Sequence, residues 1–240
     1  MRNPLIIALD VPDLANARLI LGSTADVTDV YKIGTQLFTA EGPDSIRLVQ
    51  SYGKRVFLDL KFHDIPNTVA ESVRFAIRHG VWMMNIHISG GEEMLKAAHR
   101  VVSNQEKESP LLVGVTVLTS MNDDQWHKVF GENALPISAQ GVRMALLAQS
   151  CGLDGVVASP QEITQIREVC RHDFIIVTPG VRPTWAATND QARVMTPGEA
   201  IRLGADYLVI GRPITAAKNP AEAARLILAE IKEARNLRGE

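Results

Sequence analysis

Phe57-Leu58-Asp59-Leu60-Lys61-Phe62-His63-Asp64-Ile65-Pro66-Asn67-Thr68 places two carboxylates and a lysine within six positions at the end of an apolar run. Val56-Phe57-Leu58 reads as a buried strand of the parallel type, in which apolar residues run almost without interruption. Strand alternation puts Asp59 and Lys61 on one face and Leu60 on the other. Charge on an interior strand is costly unless paired, so these side chains are expected to pair, for structural or functional reasons. Asp64 falls where the strand should end. Pro66 suits the first turn of a helix, with Asn67 and Thr68 near its start. The unit is strand, charged turn, helix.

The same unit recurs along the chain. Further strands are expected at Leu5–Leu9, Val30–Gly34, Arg55–Lys61, Trp82–Ile88, Leu111–Leu118, Asp154–Ala158, Phe174–Thr178 and Asp206–Ile210. Helical spacing is read at Leu14–Leu21, Glu41–Tyr52, Pro66–His79, from Gly91 to about Val102, within Asn122–Ser150, at Pro160–Val169 and at Pro220–Arg235. Eight alternations in 240 residues are roughly thirty residues each, the size of a βαβ repeat. Alternation of this kind means a parallel sheet. Eight units favour closure, and no Gly-x-Gly-x-x-Gly follows the first strand as an open dinucleotide-binding sheet would have it. No composition shift marks a boundary. The expected fold is α/β, a (β/α)8 TIM barrel, with residues 1–240 as one domain.

Bulk properties narrow the function classes. Hydrophobic residues make up 46%, enough for a large core. The net charge of −2 and an isoelectric point near 6.3 give no basic excess for nucleic acid or an anionic membrane. Two cysteines, Cys151 and Cys170, fit neither a zinc spacing nor a disulfide framework. The apolar start at Leu5–Leu9 is too short for a signal peptide or a span. A cytoplasmic protein is expected.

On a barrel, Asp10, Lys32, Asp59, Lys61 and Thr119 all fall at the C-terminal ends of strands, the rim where barrel enzymes build their sites. The loops after strands seven and eight are the usual phosphate site. Here they read Thr178-Pro179-Gly180-Val181-Arg182-Pro183 and Ile210-Gly211-Arg212-Pro213-Ile214. Gly211 admits an anion to the backbone, and Arg212 can fork onto phosphate oxygens; its plain alternative is a surface arginine. Thr184–Gln191 is a polar rim loop, a lid or merely a connection, from which Gln191 could reach the phosphate. These features also suit a barrel decarboxylase or isomerase of sugar phosphates with a divalent metal, or a non-catalytic phosphate-binding barrel. His63 and His87 are read as hydrogen-bonded structure, Asp123-Asp124 as a solvated helix start, and Trp82, Met83 and Met84 as packing.

Ala8-Leu9-Asp10, Tyr31-Lys32-Ile33-Gly34, Asp59-x-Lys61-x-x-Asp64-Ile65-Pro66-Asn67-Thr68, Thr178-Pro179-Gly180-Val181-Arg182 and Ile210-Gly211-Arg212-Pro213-Ile214 occur in one order over nearly the whole chain. Together they resemble the bacterial type of orotidine 5'-monophosphate decarboxylase. The resemblance implies conversion of orotidine 5'-monophosphate to UMP and CO2 without cofactor or metal, in a homodimer with shared sites. Lys61 matches the proton donor, with Asp59 and Asp64 beside it and Asp64 arriving from the other subunit. Lys32 completes the charge row and touches ribose, as does Asp10. Ile65 and Thr68 match further partner contacts. Thr119, or Ser120 beside it, matches a contact to the base. Arg182, Gln191, Gly211 and Arg212 match the phosphate grip. Loss of CO2 leaves a carbanion, which needs a nearby positive charge and then a proton; an ammonium supplies both.

Overall fold

Strands that are apolar on both faces need cover on both sides, and the chain provides it by closing its sheet on itself and ringing it with helices. The computed structural model describes residues 3–105, 109–186 and 195–236. Eight parallel strands pair in chain order: β1 (Leu5–Ala8), β2 (Val30–Gly34), β3 (Arg55–Phe62), β4 (Met83–His87), β5 (Leu111–Val115), β6 (Gly155–Val157), β7 (Ile175–Pro179) and β8 (Tyr207–Ile210). β8 pairs back onto β1, with Ile6 opposite Val209. The expected (β/α)8 barrel is present. Alternation sorts the side chains: Ile6, Phe57, Met83, Val113, Val177 and Tyr207 fill the lumen, while Leu5, Ile7, Leu58, Met84 and Leu208 pack outward into the larger core beneath the helices.

The helices are α1 (Leu14–Thr24), α2 (Thr35–Glu41), α3 (Asp44–Ser51), α4 (Pro66–Arg78), α5 (Glu92–Ser103), α6 (Asp123–Phe130), α7 (Ile137–Ser150), α8 (Ile163–Val169), α9 (Pro197–Leu203), α10 (Arg212–Thr215) and α11 (Pro220–Asn236). Local chemistry sets many of their starts. Asp13 caps α1 by accepting the Asn16 N–H at 2.8 Å, and Pro66 occupies the first turn of α4. The helix expected over Glu41–Tyr52 is α3, which starts later because Gly42, with φ 55°, and Pro43 precede it; α2, before that turn, was not foreseen. α9 was not foreseen, although Thr196, Pro197 and Glu199 form a capping box at its start. The fifth strand was expected to reach Leu118 but ends at Val115, although Thr116 and Val117 remain buried. Among the described residues no helix is long and apolar enough to cross a membrane. Cys151 and Cys170 are both free and buried.

One carboxylate ties the outer helices to the barrel end. Glu162, only 2% exposed, accepts from Thr116 Oγ1 at 3.1 Å and from the Ser159 N–H at 3.3 Å. α7 packs so closely on it that a Cβ at Gly141 would lie 2.8 Å from the Glu162 carboxyl carbon. Burial pushes the Glu162 pKa up to about 7 against the two hydrogen bonds that favour the anion. Folded Glu162 thus keeps its proton to about pH 7, whereas an unfolded glutamate loses it near pH 4.5. Its contribution to stability is complete below the unfolded value and is lost as pH rises through 7. Glu162→Gln, which cannot ionise, is therefore expected to gain stability over the parent on going from pH 4 to pH 8, by up to about 3 kcal/mol. Urea unfolding of both proteins at the two pH values measures it; a pH-independent difference would mean that Glu162 titrates normally.

Candidate active site

Three strand ends bring four charged side chains to one side of the barrel mouth. The β1–β2 ladder continues one bond past β1, Leu9 N–H to Lys32 O at 2.9 Å, and delivers Asp10 beside β2. Lys32 rises from inside β2, its ammonium 2.7 Å from Asp10 Oδ1 and 3.2 Å from Asp59 Oδ2. The other oxygen of Asp59 accepts from the Lys61 ammonium at 2.7 Å. The result is a row of alternating sign, Asp10, Lys32, Asp59, Lys61. The Lys32 side chain is 8% exposed and that of Lys61 34%, so the middle of the row is buried and it ends in an open ammonium at the lip. Burial opposes the charge on Lys32, but Asp59 and Asp10 together outweigh it and raise its pKa.

Plain strand alternation does not account for Lys61. Its φ is 52°, in the left-handed region, and the β3–β4 register shifts between Leu58 and Phe62. β3 therefore bulges at the lysine, and bulges re-aim side chains next to sites. Asn85 on β4, which the sequence reading passed over, meets this bulge. Its Nδ2 donates to Asp59 Oδ1 at 2.6 Å, and its Oδ1 accepts the Lys61 N–H at 2.8 Å. A signal existed: Asn85 is a lone amide in the apolar run Met83-Met84-Asn85-Ile86, on the same face as Met83, which points into the lumen. Gly34 is equally bound to the row, since a Cβ there would sit 2.7 Å from the Lys32 ammonium and 2.8 Å from Asp10 Oδ1.

The remaining expected residues spread around the mouth. Asp64 is exposed, accepts from the Ile65 N–H at 2.6 Å, and makes no ion pair with Lys61 within the chain. Ile65, 66% exposed, caps α4, and Thr68 lies exposed in its first turn. Thr119 was expected at a strand end but lies four residues beyond β5, because the strand ends early. It is exposed and lines a recess of 380 Å³ with Leu118, Ser159 and Glu162; Ser120 is exposed next to it. Arg182 is half-buried after β7, and its N–H donates to Met195 O at 3.1 Å. Gly211 ends β8 close to Ala8 and Asp10, and Arg212 is exposed after it. Of the polar loop, Thr184–Ala186 is a 3-10 turn, and Gln191 lies outside the described residues. The rings of His63 and His87 lie tilted against each other with centroids 5.4 Å apart; burial, then the charges of His63 and Lys61, lower the His87 pKa. Among the described residues no group of three or more His, Cys, Asp or Glu is placed to hold a metal ion. An ammonium backed by a carboxylate and facing the open mouth can stabilise developing negative charge and donate a proton.

Comparison with known proteins gives the family and the fold. Residues 3–227 match the family described as orotidine 5'-phosphate decarboxylase / HUMPS. A protein of Moorella thermoacetica named orotidine 5'-phosphate decarboxylase is 50% identical over 235 residues, covering 96% of this chain and 93% of the relative. One of the same name from Geotalea daltonii is 50% identical over 232 residues, covering 96% of each. Among solved structures, orotidine 5'-phosphate decarboxylase from Lactobacillus acidophilus superposes with TM-score 0.82 at 35% identity, covering 95% of this chain and 98% of that one.

Gly34 has φ −95°, which alanine also adopts. Gly34→Ala is therefore expected to stay folded, within about 1 kcal/mol of the parent, while its methyl group pushes Lys32 off Asp10. The Lys32 titration midpoint, followed by NMR of its Cε, should fall. An unchanged midpoint would show that the Asp10 contact does not help hold the proton.

Proposed function

The chain belongs to the orotidine 5'-phosphate decarboxylase / HUMPS family, and from that membership we propose that it converts orotidine 5'-monophosphate to UMP and CO2, a step of pyrimidine biosynthesis. The observation that carries the reading is the Lys61 ammonium at the barrel mouth, 2.7 Å from a carboxylate that Lys32 holds from its other side. Cleavage of the bond between C6 and the carboxylate releases CO2 and leaves the electron pair on C6, where the ring offers no good resonance sink. Lys61 neutralises that charge as it forms and then gives C6 its proton; the neutral amine recovers a proton from solvent. Asp59 aims the ammonium. Lys32 and Asp10 contact the ribose, and Thr119 or Ser120 the base.

Magnitude assigns a role to the rest of the substrate. One charge pair near 4 Å is worth about 4 kcal/mol at an effective dielectric of 20, whereas enzymes remove roughly 8–23 kcal/mol from a barrier. The remainder is drawn from binding the distant phosphate, through Arg182, Gly211, Arg212 and Gln191, and from closing the loop that follows Arg182 over the base. The reaction as written uses no metal or organic cofactor, and the enzyme is read as a single-domain cytoplasmic protein.

The site is completed in a homodimer. Asp64, Ile65 and Thr68 of each chain reach the site of the other. Their exposure at the lip, above all that of Ile65, supports this, as does the missing pair between Asp64 and Lys61.

Three experiments test the reading. Decarboxylation, followed by the loss of orotidylate absorbance in chelator-treated buffer, should fall about a thousandfold or more in Lys61→Ala and be nearly lost in Asp64→Asn. Mixing the two inactive variants under subunit exchange should restore about a quarter of the parent activity, since half the dimers then hold one intact site; no recovery would place both residues in one chain's site. Orotidine without its phosphate should lose turnover as well as affinity. Equal turnover at saturation would refute the use of phosphate binding in the chemical step.

A further inference from the structure

Asn85 has no part in the reaction as written, yet it is fully buried and touches the Asp59–Lys61 pair at two points. The two bonds run in opposite senses: the amide donates to the carboxylate and accepts from the lysine backbone. Only one orientation of the amide satisfies both, because a flip would set its carbonyl against Asp59 and its NH2 against the Lys61 N–H. What it grips is unusual. Lys61 is the only non-glycine residue at positive φ among the described residues. Such a backbone persists only where its surroundings hold it, and it concentrates at functional sites. Without the bulge, the lysine would continue the β3 ladder and its stem would leave the strand in another direction.

We propose that Asn85 is a positioning residue for the decarboxylation. It fixes the Lys61 ammonium from both ends: by holding the backbone from which the side chain departs, and by holding the carboxylate on which its tip rests. The inference rests on the reading of Lys61 as proton donor. It adds that the aim of the lysine is set by a side chain on the neighbouring strand, which touches no substrate. Because Asn85 is buried on a strand paired on both sides, the ammonium is aimed before substrate arrives, with little left to reorganise as charge develops.

Asn85→Ala and Asn85→Asp, with Lys61→Ala in parallel, provide the test. Loss of hydrogen bonds to a charged pair should lower kcat about ten- to a hundredfold in Asn85→Ala. The Kd for UMP should change by less than about threefold, because no substrate contact is removed. Asn85→Asp keeps the acceptor for the Lys61 N–H but turns the donor into an acid. Its introduced carboxyl repels Asp59 when ionised and donates to it when protonated. Its kcat relative to the parent should therefore rise as pH falls, a response that loss of packing alone would not produce; this profile also carries the test if Asn85→Ala fails to fold. If Asn85→Ala, or Asn85→Asp at neutral and higher pH, keeps kcat within about threefold of the parent, or if kcat and UMP affinity fall by equal factors in Asn85→Ala, the positioning role is overturned. A flat relative pH profile for Asn85→Asp overturns it too. Full activity in Lys61→Ala would instead remove the premise, whereas an inactive Lys61→Ala beside fully active Asn85 variants would remove only this inference.

Discussion

Asp59 is held between two ammoniums inside the mouth of a protein barrel, and the site is arranged around that contact. Lys32 is almost entirely buried, and a buried charge without its partner costs several kcal/mol. The carboxylate makes that burial tolerable and at the same time holds a second lysine at the lip. The row alternates in sign, so each charge lies next to its opposite. One row thus lets a charged lysine sit inside the barrel and leaves another facing the opening.

The barrel is what makes such a row rigid. Its strands bond to neighbours on both sides, β8 closing onto β1, so side chains on adjacent strands keep fixed spacings. Asp10, Lys32, the Asp59–Lys61 pair and Asn85 come from four successive strands or their ends. Each side chain is checked by the next: Gly34 leaves room for the Lys32–Asp10 contact, and Asn85 reaches across to the bulge in β3. Groups suited to phosphate follow β7 and β8, and Gly211 lies near Asp10. The same closed wall therefore links these groups to the charged row.

Legibility followed the physical range of each signal. Apolar runs about thirty residues apart were enough for the barrel, because a buried parallel strand tolerates little else. Element ends were read less well where sequence and structure used different cues. Gly42-Pro43 set the start of α3 later than its periodicity suggested, and the apolar pair Val117-Leu118 carried hydrophobicity past the last ladder bond of β5. The capping box of α9 was present in the sequence but lay after a polar stretch that drew attention to a loop. Among site residues, Asp10, Lys32, Asp59 and Lys61 were legible as charges at the ends of apolar strands. Asn85 was not, because an uncharged amide within a strand gains its meaning only from its neighbour across the sheet.

The sequence by itself determined the order and number of strands, the charge types at their ends and the family they match, because burial and periodicity are written residue by residue. Only the tertiary structure decided which charges touch. Strand alternation alone would have set Asp59 and Lys61 side by side on a regular edge. The left-handed turn at Lys61, the register shift beside it and the amide that spans both depend on how β3 and β4 lie against each other, and pairing between strands is a long-range property that no local stretch of chain encodes.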